Sequence, residues 1–249
     1  MSKVRKFQEQ SFVDDYLHLD LRTFYSPQNV QDTIEYIDFA CECDICLPRT
    51  CPCLQNSGKM FNYERGKIVA KDYPIFECKS DCGCGSKCKN KVVQKGPIKG
   101  LQIKDFNLKG LGLISTNPIP KGKFVCEYAG EIITMDKANK RSTNDKHNYI
   151  LYVYEHFKNE ELVTIIDPTR IGNIGRYLNH SCDPNLSIHL VRTEDWTPCV
   201  AMFANKNIEA NEELTFDYGQ HQKQQIVNKS RPCLCASEKC KGFLPSHQL

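Results

Sequence analysis

The chain has 249 residues, 40% of them hydrophobic, with 33 Lys and Arg against 30 Asp and Glu for a formal charge of +3. That length suits one catalytic-size domain with small appendages, and no apolar run approaches the ~20 residues that span a bilayer. Fifteen cysteines stand out; thirteen thiolates on four Zn2+ would lower the charge by five, to about −2, which excludes a strongly basic nucleic-acid binder.

Residues 1–38 carry no cysteine. Their basic start has no apolar stretch after it, so it does not read as a secretory signal. Residues 26–35 read as a loop leading into a short helix or strand. Residues 39–98 hold nine cysteines in two clusters: Cys41, Cys43, Cys46, Cys51 and Cys53, then Cys78, Cys82, Cys84 and Cys88. Asn56-Ser57-Gly58-Lys59 between them is a turn signal. A segment so poor in aliphatic residues cannot build its own core, so metal must stand in for one. Zinc takes four deprotonated ligands in a tetrahedron. Three zincs need twelve ligand bonds, which nine thiolates supply if three of them bridge. A disulfide framework fits less well: the count is odd, and cysteines one residue apart pair badly with each other.

Residues 99–222 change character. Short strands are expected at 101–103, 110–115, 124–128, 149–154, 162–166, 200–204 and 214–216, with a turn at 118–122 and a helix at 134–141. Together they read as an α+β domain, mostly β. Asp167 reads as a turn residue and Asp217 as structural. Asp183-Pro184-Asn185 reads as a turn holding the segment before it. In the last part, residues 223–249, a polar stretch at 220–231 reads as a flexible connector to Cys233, Cys235 and Cys240. These three cysteines lack a fourth ligand, and Cys182 is the candidate. Cys126 and Cys199 read as ordinary buried thiols.

Two short signatures carry chemistry: Arg176-Tyr177-Leu178-Asn179-His180-Ser181-Cys182-Asp183-Pro184-Asn185 and Glu213-Leu214-Thr215-Phe216-Asp217-Tyr218-Gly219. Lys109-Gly110-Leu111-Gly112 and Cys126-Glu127-Tyr128-Ala129-Gly130 precede them in order. Together they resemble the SET domain of protein lysine methyltransferases. The nine-cysteine segment resembles a pre-SET module and the last three cysteines a post-SET module. The combination is similar to the suppressor-of-variegation class, and to the SET half of vertebrate SET–transposase fusions.

The resemblance implies a SET domain of short curved sheets with a pseudoknot, between two zinc modules. It implies methyl transfer from S-adenosylmethionine to a lysine of a histone tail, that of histone three, with three zincs in the pre-SET cluster and one at the post-SET site. It also implies nuclear residence on chromatin, a monomer and no membrane partner. Tyr218 matches the principal catalytic residue, aligning the amine and methyl electrostatically. Tyr128 matches a second tyrosine that hydrogen-bonds the amine, and Phe216 the position that sets product multiplicity. Phe leaves room there for di- or trimethylation. Gly110, Leu111, Gly112, Tyr149, Arg176, Asn179 and His180 match cofactor contacts, and Phe243 an aromatic that closes over the site or simply packs. Leu111 stands where the family often has Trp, which removes an aromatic surface and predicts weaker cofactor binding. Relatives also often have a longer spacer than the two residues between Cys43 and Cys46. A catalytically weak zinc-built chromatin-binding module, or a methyltransferase for a non-histone protein, are the other readings.

Overall fold

The computed structural model describes residues 39–69, 74–142, 149–157, 160–220 and 226–246. The loop expected at 26–35 lies outside them. The chain opens with a short helix, α1 (Pro52–Asn56), followed by β1 (Tyr63–Glu64), β2 (Lys67–Ile68) and β3 (Ile75–Phe76). Pro52 suits the first turn of α1, where its missing N–H costs nothing, and the helix ends in the 56–59 turn, where Gly58 has φ +75°. The body follows as β4 (Leu101–Asp105), β5 (Leu111–Ser115), β6 (Phe124–Glu127), β7 (Gly130–Ile132), α2 (Met135–Ser142), β8 (Leu151–Phe157) and β9 (Glu160–Gly172). Then come β10 (Asn179–His180), β11 (Leu186–Arg192), β12 (Cys199–Ala204), β13 (Glu213–Phe216), β14 (Ile226–Pro232) and β15 (Phe243–Ser246).

Three sheets make the body: β10-β13-β5-β4, β3-β11-β12-β6 and β7-β9-β8. The ribbons β1-β2 and β14-β15 flank them. In β12 Val200 to Ala204 are all buried, as a strand covered by neighbours on both edges demands. The parallel pairing of β10 with β13 sets Asn179 beside Thr215 and His180 beside Phe216. Residues 181–212, with β11 and β12, make the long crossover that parallel neighbours require. The main apolar core lies between the sheets, around Leu113, Val125, Val153, Leu186, Val200 and Leu214.

Three of these elements differ from the sequence reading as follows. β11 was not foreseen, because Ser187 and His189 interrupt its apolar run. β14 replaces part of the connector expected at 220–231, pairing with β15 from Ile226↔Ser246 to Pro232↔Phe243. β9 continues past 166 to Gly172. Asp167 does form a local turn, its Oδ1 accepting from Thr169 N at 2.9 Å, but it is fully buried inside β9. Its Oδ2 accepts from Arg141 Nη1 at 2.5 Å, and the same guanidinium nitrogen reaches Glu131 Oε2 at 2.7 Å. Arg141 thereby pins α2 to β7 and β9, and its loss would leave two carboxylates buried together.

Candidate active site and metal centres

The parallel pair β10-β13 builds the site. Phe216 ends β13, and the chain turns at Asp217-Tyr218-Gly219 back over β10. Four rings meet at this corner, each tilted against the next: Tyr128 lies 5.8 Å from Phe216, Phe216 4.8 Å from Tyr218, and Tyr218 5.2 Å from His180. Tyr128 and Phe216 are buried, and Tyr218 is half-buried. Each phenol donates to a backbone carbonyl: Tyr218 to Leu178 O at 2.9 Å, Tyr128 to Tyr149 O at 2.6 Å. Burial, with the neighbouring phenols adding to it, pushes both hydroxyls above the ordinary tyrosine range. Both keep their protons at neutral pH. Because each proton is committed to a carbonyl, the hydroxyl oxygens present lone pairs to a donor.

The turn carrying Tyr218 is fastened twice. Tyr218 N donates to His180 Nδ1 at 3.2 Å. Gln220 grips β11 like a missing strand, its Oε1 accepting from Ile188 N at 3.0 Å and its Nε2 donating to Ile188 O at 3.2 Å. Since His180 Nδ1 accepts, a neutral ring carries its proton on Nε2, which faces Cys182 Sγ at 3.4 Å. Burial holds the His180 pKa below its ordinary value, against the opposing pull of Asp217. Both ring nitrogens are thus engaged within the chain, so His180 offers a ligand its backbone rather than its side chain. That backbone lies at the edge of its sheet, because β10 is its outer strand among the described residues.

The other predicted cofactor residues surround this edge. Arg176 lays its guanidinium 4.8 Å from the Tyr149 ring and 5.6 Å from Tyr177. Asn179 donates to Glu213 Oε1 at 2.8 Å and to Leu111 O at 3.4 Å. At Gly110 φ is +75°, and nothing lies within 4 Å of where a Cβ would stand, so this backbone borders open space. Gly112 differs: a Cβ there would meet Phe106 and Nδ2 of Asn179 at 2.6 and 2.8 Å, so its lack of a side chain serves the chain's own packing. Leu111 is a half-buried aliphatic beside these two. Phe243 lies on β15 opposite Pro232 and is 36% exposed. Its ribbon reaches the site, since a Cβ on Gly219 would stand 3.4 Å from Pro245. Sequence reading gave no role to Lys109, Glu213 or Gln220, all of which brace the site. Lys109 and Glu213 were in view, flanking Gly110 and opening the second signature.

The cysteines form two centres. Cys182, Cys233, Cys235 and Cys240 place all four sulfurs within 4.8 Å of one another. In the other centre three sets do the same: Cys41, Cys43, Cys46 and Cys51; Cys41, Cys53, Cys78 and Cys82; Cys41, Cys46, Cys78 and Cys84. Cys88 joins them, 3.6 Å from Cys46 and 3.8 Å from Cys78. The short spacer between Cys43 and Cys46 does not open the first set. Neighbouring sulfurs stand 3.6 to 3.9 Å apart. A tetrahedron of ~2.3 Å Zn–S bonds puts its sulfurs about 3.8 Å apart. Backbone N–H groups point at sulfur, Cys41 N to Cys82 and Lys241 N to Cys182 among them, as thiolates favour. Without a cation, burial pushes the Cys51 and Cys82 thiols up to about 12. Hydrogen bonds from neighbouring thiols instead hold Cys53 at about 6 and Cys88 at about 5, and this donor set of close thiols fits zinc. Cys126 is buried, whereas Cys199 is only half-buried, its thiol 3.9 Å from Thr193 Oγ1.

A mostly β body with a ring-lined corner, between two thiol-rich metal centres, defines a SET-type protein. The SET domain family model matches residues 110–219, and the Pre-SET motif model residues 4–91, a match that takes in most of the cysteine-free segment as well. Histone-lysine N-methyltransferase SETMAR of Mus musculus is 40% identical over 222 residues, covering 80% of this chain and 71% of that protein. The crystal structure of the methyltransferase domain of human SETMAR superposes with a TM-score of 0.79 at 35% identity, covering 91% of this chain and 88% of that one. KRYPTONITE in complex with mCHH DNA, H3(1-15) peptide and SAH gives 0.73 at 28% identity, covering 90% of this chain and 46% of that one. The chain belongs to the SET-domain histone-lysine N-methyltransferase family.

Proposed function

We propose that this chain transfers methyl groups from S-adenosylmethionine to a lysine of the histone three tail, to the di- or trimethyl state, as a monomer acting on nuclear chromatin. The observation that carries the reading is the Tyr128–Phe216–Tyr218 ring cluster against Asn179-His180, with both phenol protons tied to carbonyls. S-adenosylmethionine supplies an electrophilic methyl on a sulfonium. Tyr128 and Tyr218 offer lone pairs to the N–H bonds of the incoming amine and so aim its own lone pair. Their raised pKa values argue against either acting as base. The apolar walls disfavour an ammonium and keep the lysine neutral. Phe216, with no hydroxyl, leaves space for an amine that already carries methyls. The backbone at Gly110 and on the edge strand β10 would hold the cofactor, with Leu111, Gly112, Tyr149, Arg176 and Asn179 around it and Phe243 above. Arg176 brings a cation suited to an amino-acid carboxylate.

In the metal reading, Cys41, Cys46 and Cys78, which recur among the sulfur sets, would be the thiolates shared among three zinc sites. Cys43 with Cys51, Cys53 with Cys82, and Cys84 with Cys88 complete them, and a fourth zinc takes Cys182, Cys233, Cys235 and Cys240. Residues 39–98, 99–222 and 223–249 then act as pre-SET, SET and post-SET units. Leu111 favours a second reading, a chromatin-binding module with weak catalysis.

The deciding experiment is methyl transfer from labelled S-adenosylmethionine to intact histones. Label on histone three that falls at least ~100-fold in a folded Tyr218→Phe supports the enzyme. No transfer by zinc-loaded wild type that still binds histone supports the module. Transfer confined to other proteins in a lysate replaces the histone substrate.

A further inference from the structure

The reading above leaves one largely buried charge without a task. Glu213 opens β13 with its side chain 13% exposed. Its Oε2 takes the Lys109 ammonium at 2.6 Å, from the turn that enters Gly110. Its Oε1 accepts from Asn179 Nδ2 at 2.8 Å, and the same amide nitrogen reaches Leu111 O at 3.4 Å. One carboxylate thus joins the turn before β5, the edge strand β10 and β13 itself. Both bonds to it are charge-assisted, the stronger kind. Taking away either donor leaves a half-satisfied buried carboxylate.

The consequence is orientational. The two ends of an asparagine amide differ, one a donor and one an acceptor. With Nδ2 against a carboxylate and a carbonyl, the reversed amide would set its oxygen against two acceptors. Glu213 therefore fixes which end of Asn179 faces away from the carboxylate. Lys109 balances the charge and holds the backbone that leads into Gly110 and Leu111. The same contact that sets the amide also sets the turn.

We propose that Glu213 is a positioning residue for cofactor binding: by bridging Lys109 and Asn179 it locks the Asn179 amide and the 109–112 turn into the arrangement that receives S-adenosylmethionine. The proposal rests on the cofactor assignment above and adds a residue that need not touch the cofactor itself. Its signature is an effect on cofactor affinity that is not shared by the histone substrate.

The test is calorimetric titration of S-adenosylmethionine into the zinc-loaded full chain, beside steady-state kinetics with a histone peptide. Glu213→Gln keeps the shape but presents one acceptor and one donor, so either Lys109 or Asn179 then faces a donor. The cofactor Kd and KM are expected to rise about tenfold, with the peptide KM within about twofold of wild type. Lys109→Met, which leaves the Asn179 bond in place, raises the Kd by a smaller factor. An unchanged Kd in folded Glu213→Gln, or an equal rise in both KM values, overturns the proposal. Where Glu213→Gln does not fold, Lys109→Met decides, and an unchanged Kd there overturns it. Wild type that fails to bind S-adenosylmethionine overturns the cofactor assignment itself; wild type that binds beside variants that bind equally overturns only the role of Glu213.

Discussion

The cysteine segment and the sheet body are built on opposite principles. In the body, apolar residues from three sheets interlock around Leu113, Val125, Leu186 and Val200, and the interior needs nothing from outside the chain. In the cysteine segment the buried cluster is six cysteines and Leu54. A centre of that kind has no hydrophobic reason to close, and its folding free energy is metal-binding free energy. The two regions meet where β3 pairs with β11 and Phe76 packs edge-on against Trp196, 5.6 Å between centroids.

Chelation should break the comparison most sharply. Structural zinc contributes on the order of 10 kcal/mol, so a strong chelator should unfold residues 41–53 and 78–88 while the body persists. Hydrogen exchange reads this directly, as rapid exchange in the cysteine segment beside protected amides in β11 and β12. Equal loss of protection in both would mean that the body, too, leans on the metal. Single ligands sharpen the point. Cys78 recurs in two of the sulfur sets and Cys43 in one. Cys78→Ala should lower zinc content and melting temperature more than Cys43→Ala, and equal losses by metal analysis would refute the shared role. In the body, Leu113→Ala should cost about 3 kcal/mol, the usual range for a fully buried leucine, with zinc content unchanged.

What could be seen in the sequence follows the same division. Cysteine spacing is local and chemically specific, so the gathering of these cysteines into two sulfur-rich groups was legible. Strands with uninterrupted apolar or β-branched runs, such as β5 and β12, were legible too. β14 was not: Asn228-Lys229-Ser230-Arg231 carries no apolar pattern, and its strand character comes from pairing with β15. The ion pair of Lys109 with Glu213 bridges 104 residues, and Arg141 reaches Asp167 across 26. No periodicity records such pairings, so the bracing of the site stayed hidden although the short signatures that carry its rings did not.

The smallest expected effect lies at the back of the β6–β12 pair. Burial raises the Glu127 carboxyl to about 8, against a hydrogen bond from Cys199 that lowers it. An unfolded Glu ionises near ~4.3. The stability tied to the neutral form is therefore complete below that pH and is lost as pH rises toward 8. Glu127→Gln should melt a few degrees above wild type at pH 8 and lose that advantage at pH 5; a constant offset between the two melting curves would assign the effect to packing instead.

The bond between His180 and Cys182 has a consequence in the order of synthesis. A ribosome makes Tyr218 before it makes Cys233, Cys235 and Cys240, the other three members of the sulfur set that Cys182 belongs to. Until those residues emerge, the thiol beside His180 lacks its partners, and the turn that carries Tyr218 lacks the Pro245 ribbon against Gly219. The nascent chain thus completes this corner only once residues 233–245 have emerged, after Tyr218 itself has already been made.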